Sequence, residues 1–385
     1  MKRIQSALLA LLLAAASLPV SAAAAPADGS AALTISAPSA VLMEKETGEI
    51  LYEKDAHTRY EPASVTKVMT LLLAIEAIDA GQLGWEDMVT ASPHAISMGG
   101  SQIWLKENEQ LSVRDMVKAV AVVSANDCAV ALAEHVAGSE EAFVARMNQR
   151  AAELGMEDTS FLNCTGLPAA GHMTCAYDIA LMSRELILNH PEIREFTTIW
   201  MDTLRDGQFQ LSNTNKLIRF YDGATGLKTG FTSSALYCLS ATAERDGMEL
   251  IAAVMHAPTS NERFDSAKAL LSYGFANYAL LPVYPSEAIP PIPVLLGRED
   301  TVQPVTAREC VILVKKSEAG SVTTRMTLCD SVEAPVEPGQ KLGELQVFVD
   351  GQLRDTIDLT AARPVERLSL GGIFRDLLEK LFMAG

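Results

Sequence analysis

The stretch that decides the reading is Tyr60-Glu61-Pro62-Ala63-Ser64-Val65-Thr66-Lys67-Val68-Met69-Thr70-Leu71-Leu72-Leu73. Pro62 argues against helix upstream, so Ser64 falls at a helix start. Val65, Val68, Met69, Leu71, Leu72, Leu73, Ile75 and Ile78 then make the segment apolar nearly all round, the pattern of a helix buried in a core. Ser64 and Lys67 are three residues apart and project from one face of that helix, where their side chains meet. A serine hydroxyl is a weak nucleophile at its free pKa and needs a neighbouring base. Lysine serves as that base only when neutral, and burial disfavours the ammonium form. The backbone N–H of Ser64 is one of the unpaired amides of a helix start, free to face a developing oxyanion.

Two further motifs follow in order. Ser124-Ala125-Asn126 lies between helical patterns over residues 112–123 and 127–136, and Lys228-Thr229-Gly230 lies in a strand-like run over residues 226–232. Each has a bland reading when taken alone: helix-capping residues for the first, an edge-strand lysine beside a turn glycine for the second. In order, on a helix start, an interhelical loop and a strand, the three specify a serine acyl-transfer site.

On these residues the chain resembles the serine D-alanyl-D-alanine carboxypeptidases of the low-molecular-mass penicillin-binding protein family, in the sporulation-type and general wall-remodelling branch. The resemblance runs from about residue 36 to residue 385. It also includes Tyr60-Glu61-Pro62-Ala63, Asn163-Cys164-Thr165-Gly166-Leu167-Pro168, Thr214-Asn215-Lys216-Leu217, Gly226-Leu227-Lys228-Thr229-Gly230-Phe231-Thr232 and Arg263-Phe264-Asp265-Ser266-Ala267-Lys268. The implied fold is of α/β (α+β) class, of the penicillin-binding protein and β-lactamase type. An antiparallel sheet is flanked by helices, and the site lies between it and a mostly helical lobe carrying Ser124 and Asn126.

The resemblance implies Ser64 as the acylated nucleophile, Lys67 as its base and Ser124 as a proton relay toward the leaving amine. It implies that Asn126 bonds the substrate peptide and that Lys228 and Thr229, with Arg263, hold a terminal carboxylate. The N–H of Phe231 becomes the second oxyanion donor. Gly230 fits this arrangement, because a bare backbone lets the acyl group approach closely. The implied substrate is a peptidoglycan stem peptide ending D-Ala-D-Ala, and β-lactam antibiotics acylate Ser64 by the same route. Two positive charges near one carboxylate explain a requirement for a free C-terminus. The mechanism needs no metal and no organic cofactor. The chain departs from the pattern at Ser234-Ala235-Leu236-Tyr237, where relatives often carry Ala-Gly, which bears on local strand geometry.

Lys2 and Arg3 precede an apolar run over residues 7–16, and Val20-Ser21-Ala22 or Ala22-Ala23-Ala24 offers small residues for cleavage. Residues 1–25 are therefore expected to be a signal peptide, and the protein to be exported to the extracytoplasmic face of the cell membrane. Residues 36–283 form the expected catalytic domain. Pro285, Pro290, Pro291 and Pro293 read as a stiff linker. Alternating β patterns follow in residues 290–365, with Asp350-Gly351 a strong hairpin signal, so a small β-rich C-terminal domain is expected. In residues 370–385, Ile373, Phe374, Leu377, Leu378, Leu381 and Phe382 share one helical face, opposite Arg375, Asp376, Glu379 and Lys380. In related enzymes such a helix lies in the membrane surface. The alternative is a helix packed on the β domain or a partner.

A net charge of −17 argues against a nucleic-acid partner. Six cysteines in an exported chain raise disulfides: Cys310 with Cys329, if Ala319-Gly320 turns a hairpin, and Cys164 with Cys175. Cys128 and Cys238 read as buried thiols. The six histidines include no His-Glu-x-x-His, and His172 reads either as a cleft residue or as a satisfied loop histidine. Outside the carboxypeptidases, a class A β-lactamase needs a deacylating glutamate that is not evident near residues 163–168. A non-catalytic wall-binding protein would be expected to lack Ser64, Lys67 or Lys228, and all three are present.

Overall fold

The structure, a computed structural model, describes residues 33–369 and 371–372. The expected signal peptide lies outside the described residues, as does the expected terminal helix apart from Gly371 and Gly372. In chain order the main elements are β1 (Ser39–Glu44), β2 (Ile50–Lys54), α1 (Lys67–Asp79), α2 (Val113–Val123), α3 (Asn126–Ala137), α4 (Glu140–Glu153), α5 (Ala176–Asn189), β3 (Ala224–Thr232), β4 (Leu236–Arg245), β5 (Met248–Ala257) and α6 (Ser260–Asn277). After them come β6 (Tyr278–Pro282), β7 (Val311–Lys315), β8 (Val322–Leu328), β9 (Lys341–Val349) and β10 (Gln352–Ala361).

The central sheet has the order β2-β1-β5-β4-β3 and is antiparallel throughout. Its inner strands read as unbroken apolar runs because both faces are covered. All six residues of β1 are buried. Val41, Met43, Ile251, Ala253 and Met255 join the core of the helical lobe. Their neighbours face the other way: a Cβ on Gly274 of α6 would lie 2.4 Å from Leu250 Cδ1 and 3.1 Å from Leu42 Cδ2. The sheet is thus sandwiched between α6 and the helical lobe, in the expected α+β arrangement.

Within the lobe, α1 is buried from Lys67 through Ile75 without a break, which explains its lack of a polar face. Ser64 sits just ahead, in a 3-10 turn over Ala63–Thr66 that feeds α1. It is the one residue between Pro62 and Ile75 that is not buried.

The proline segment does not span a gap between two bodies. The chain has already entered the C-terminal β structure at β6, which pairs antiparallel with β7 from Tyr278↔Lys315 to Pro282↔Val311. Val283 and Ile289 pack in the same β-rich core as Ile312 and Val314. The hairpin of β9 and β10 closes through Asp350 and Gly351, both at positive φ (50° and 76°), as a two-residue turn of this hand demands. The Cys310–Cys329 hairpin does not form. Residues Lys316–Ser321 make a 3-10 turn, β7 pairs with β6, and β8 pairs with β9. All six cysteines are free thiols, Cys310 buried and Cys329 exposed. Among the described residues no helix is long and apolar enough to cross a membrane.

Candidate active site

Lys67 is completely buried, and its Nζ has three oxygen neighbours: Ser64 Oγ at 3.0 Å, Asn126 Oδ1 at 2.5 Å and the Thr165 carbonyl at 2.6 Å. The orientation of the Asn126 amide is set by its Nδ2, which donates to the Gly99 carbonyl at 2.6 Å. Asn126 Oδ1 and the Thr165 carbonyl can only accept. A neutral amine has two N–H bonds and one lone pair, so donating to both acceptors leaves the lone pair for Ser64. Burial pushes the Lys67 pKa down to about 7, partly opposed by Cys164 and Asp127. The arrangement can therefore take a proton from the Ser64 hydroxyl near neutral pH.

Ser124 ends α2 in the left-handed region, at φ 64° and ψ 34°. Its hydroxyl is buried with no hydrogen-bond partner among the described residues, an uncommon state for a buried hydroxyl. Asn126 opens α3 and donates its backbone N–H to Ser101 O at 2.7 Å. The next residue, Asp127, is fully buried. Its carboxylate accepts from Ile103 N and Leu105 N at 3.1–3.3 Å and from Cys128 N at 2.9 Å. Asp127 thus fixes the loop whose Gly99 and Ser101 carbonyls hold Asn126. Asp127→Ala is expected to lower unfolding stability by about 3 kcal/mol, because several buried amides lose their acceptor at once. Urea titration checks this, and a loss under about 1 kcal/mol would show that the loop is held by other contacts.

Strand β3 supplies the opposite wall. Lys228 is buried, its Nζ donates to Thr229 O at 2.9 Å, and burial, then Lys67 and Arg263, hold its pKa well below the usual lysine value. Thr229 Oγ1 lies 2.7 Å from Thr214 Oγ1. A Cβ on Gly230 would stand 2.8 Å from Pro62 O and 3.0 Å from Ser64 N, so only glycine lets β3 pass the serine turn so closely. Phe231 is exposed and lies against Tyr237. Arg263 is buried behind the strand, donating to Gly230 O at 3.1 Å and Cys238 O at 3.3 Å. Burial lowers its pKa to about 10, so it stays charged at neutral pH. Lys67, Lys228 and Arg263 form no ion pair among the described residues. The cleft suits an anionic group, although the chain carries −17 overall.

Sequence reasoning missed the carbonyl of Thr165, because nothing in a residue type shows where a loop carbonyl will point. His172 is a satisfied loop histidine. Its Nδ1 accepts from Leu162 N at 3.0 Å, so Nε2 carries the proton and donates to Thr66 Oγ1 at 2.8 Å; Thr66 in turn donates to Ala63 O at 2.8 Å. Burial lowers the His172 pKa to about 4, keeping it neutral. At the departure from the family pattern, Leu236 adopts φ 55°, a conformation that favours glycine, yet the Thr232↔Leu236 pairing of β3 and β4 is kept.

A family described as D-alanyl-D-alanine carboxypeptidase matches residues 22–259, and one described as penicillin-binding protein 5, C-terminal domain, matches residues 283–367. The chain is 43% identical over 322 residues to D-alanyl-D-alanine carboxypeptidase DacF of Bacillus subtilis, covering 82% of each sequence. It is 31% identical to DacC of Escherichia coli, covering 91% of this chain and 90% of that one. Among solved structures, penicillin-binding protein 5 from Haemophilus influenzae superposes with a TM-score of 0.76 at 31% identity, over 87% of this chain and 98% of that one. Penicillin-binding protein D2 from Listeria monocytogenes in its ampicillin-bound form has a TM-score of 0.58 at 35% identity, over 63% of this chain and 99% of that one. With its Ser64–Lys67 pair facing a Lys228-Thr229-Gly230 strand, the chain belongs to the D-alanyl-D-alanine carboxypeptidase family of low-molecular-mass penicillin-binding proteins.

Proposed function

We propose that this serine-type carboxypeptidase removes the terminal D-alanine from peptidoglycan stem peptides ending D-Ala-D-Ala. The observation that carries the reading is a lysine with a pKa of about 7, held 3.0 Å from a partly buried serine hydroxyl. Lys67 takes the Ser64 proton as Oγ bonds to the carbonyl carbon of the penultimate residue. Negative charge gathers on the carbonyl oxygen, facing the amides of Ser64 and Phe231. The C–N bond then breaks, with the proton passed to the leaving amine by way of Ser124, and D-alanine departs. Water adds to the ester with Lys67 again as base, releasing the shortened peptide and restoring Ser64. Asn126 bonds the substrate peptide. Lys228 and Thr229 bond the terminal carboxylate, and Arg263, engaged by two strand carbonyls, adds its charge from behind.

β-Lactams fit the same route, a reading supported by the ampicillin-bound Listeria relative. A class A β-lactamase is not favoured: among the described residues, Glu140 is the carboxylate that touches the 163–168 loop, and it is committed to Cys164 N at 3.1 Å and His94 at 2.7 Å. The basic and apolar N-terminus supports export, and the amphipathic pattern of residues 370–385 supports attachment to the extracytoplasmic face of the cell membrane, with the β-rich domain as pedestal or interaction module.

The test is D-alanine release from a diacyl-D-Ala-D-Ala peptide, alongside mass mapping of the penicillin adduct. Release, with the adduct on the peptide containing Ser64, is the expected result. An adduct without release would mark a slow penicillin-binding protein, and neither signal would sink the catalytic reading.

A further inference from the structure

The turn between β3 and β4, where the chain departs from its family's pattern, is tied back to the segment in front of Ser64. Ser234 Oγ donates to Glu61 Oε2 at 2.5 Å. Beside this bond, His256 Nδ1 donates to Ala235 O at 3.1 Å while its ring stacks on Tyr60 at 4.6 Å. Cys238 Sγ reaches Glu61 O at 3.8 Å. Inside the turn, Ala235 N donates to Thr232 Oγ1 at 2.9 Å, so a shift at Ser234 is carried to Thr232 and to its neighbour Phe231. Glu61 lies three residues before Ser64, and Ser234 three residues after Phe231. The bond therefore joins the outer ends of the two segments whose amides face the oxyanion in the proposed reaction. Between those ends the fit is already tight at Gly230, against Pro62 O and Ser64 N.

We infer that Glu61 and Ser234 form a latch that sets the spacing of the Ser64 and Phe231 amides, which makes both positioning residues for acyl transfer. The inference rests on the acyl-transfer reading given above. Oxyanion donors act within about 2.7–3.1 Å of the charge they stabilise. A misplacement of about 1 Å costs about a hundredfold in rate. Opening the latch leaves the β3–β4 pairing intact, so the displacement and its cost are smaller. Both donors act as charge develops, so the loss falls on kcat and spares KM.

The experiment compares Glu61→Ala, Ser234→Ala, the double variant and Glu61→Gln in D-alanine release and in penicillin acylation rate. Each alanine variant is expected to lower kcat about 5- to 20-fold with KM within about twofold, and acylation by a similar factor. The double variant is expected to be no slower than Ser234→Ala: the Ser234–Glu61 bond is lost in all three, and Ser234→Ala and the double variant also lose the 3.3 Å contact of Ser234 Oγ with Thr232 Oγ1. Glu61→Gln, whose side-chain oxygen still accepts the Ser234 O–H, is expected to keep at least about half of the wild-type kcat. Alanine variants at the wild-type rate overturn the latch. So do single losses that multiply in the double variant, or a Glu61→Gln as slow as Glu61→Ala. If Glu61→Ala does not fold, Ser234→Ala, a truncation of an exposed side chain, decides the matter through the same kcat and KM readings. A wild type that neither releases D-alanine nor takes the penicillin label overturns the function itself, whereas a working wild type with indistinguishable variants overturns the latch alone.

Discussion

Replacing Lys67 with methionine is expected to lower kcat/KM for D-alanine release by about 10²- to 10⁴-fold, the range lost with a positioned general base. Penicillin acylation should fall with it, because both reactions begin by moving the same proton from Ser64. Methionine fills a similar volume in the same buried slot but offers no lone pair basic enough to take that proton. The wild-type pH profile carries the same signature. Lys67 is useful only when neutral, and its pKa is about 7, so kcat/KM should rise with pH up to about 7 and level above it. Stability follows a linked course. The folded-state pKa lies below the unfolded value of 10.5, so between about pH 7 and 10.5 the unfolded chain binds more protons, and this group's contribution makes stability rise with pH across that window. The methionine variant should lose that slope. A kcat/KM flat from pH 5 to 9 in the wild type, or a Lys67→Met enzyme within tenfold of it, would remove Lys67 from the role of base.

The chemistry was more legible than its support. Ser64 and Lys67 sit three apart on a short helical segment, so local geometry alone brings them together, and the structure places their heteroatoms 3.0 Å apart. Asn126 was brought to the site by family pattern, as a contact for the substrate peptide; its 2.5 Å bond to Lys67, across 59 positions, was not foreseen. The Thr165 carbonyl, the Asp127 anchor and the His172–Thr66–Ala63 chain were not legible. Each depends on where a loop's peptide groups point, and that is settled by tertiary packing. Asp127 did leave one trace: an acid inside an otherwise apolar helix pattern asks for buried partners.

The C-terminal part shows the same division. Asp350-Gly351 between alternating runs names its own hairpin, since two consecutive positive φ values suit few residue pairs. Cys310 to Cys329 looked equally symmetric about Ala319-Gly320. There β7 and β8 each found a longer-range partner in β6 and β9, and alternation alone carries no record of which strand a strand will pair with. The proline run misled for a related reason. Prolines mark extended backbone, which suits a linker and a segment laid over a β core alike.

Gly166→Ala is expected to cost about 3–5 kcal/mol of stability, and to slow acylation of Ser64 about a hundredfold in whatever fraction remains folded. Gly166 has φ +81°, and a Cβ there would lie 1.8 Å from Ala63 O, 2.3 Å from Ala63 C and 2.8 Å from Thr66 Oγ1. None of these atoms yields easily. Ala63 is itself held at φ 47°, and its carbonyl accepts from Thr66 Oγ1, which His172 braces from behind. The added methyl must therefore push either the serine turn or its own loop. That loop also presents the Thr165 carbonyl to Lys67, so either movement disturbs the Ser64–Lys67 pair. Gly138→Ala separates the two contributions: Gly138 has φ +85° but no atom within 4 Å of its Cβ position, so it carries the backbone strain without the clash. It should cost about 1–2 kcal/mol and leave acylation untouched. Equal losses in the two variants, with normal acylation in both, would mean that the loop and the serine turn do not bear on one another. A larger loss at Gly166, together with slowed acylation, would show that the base and the nucleophile are held in register by a contact only glycine permits.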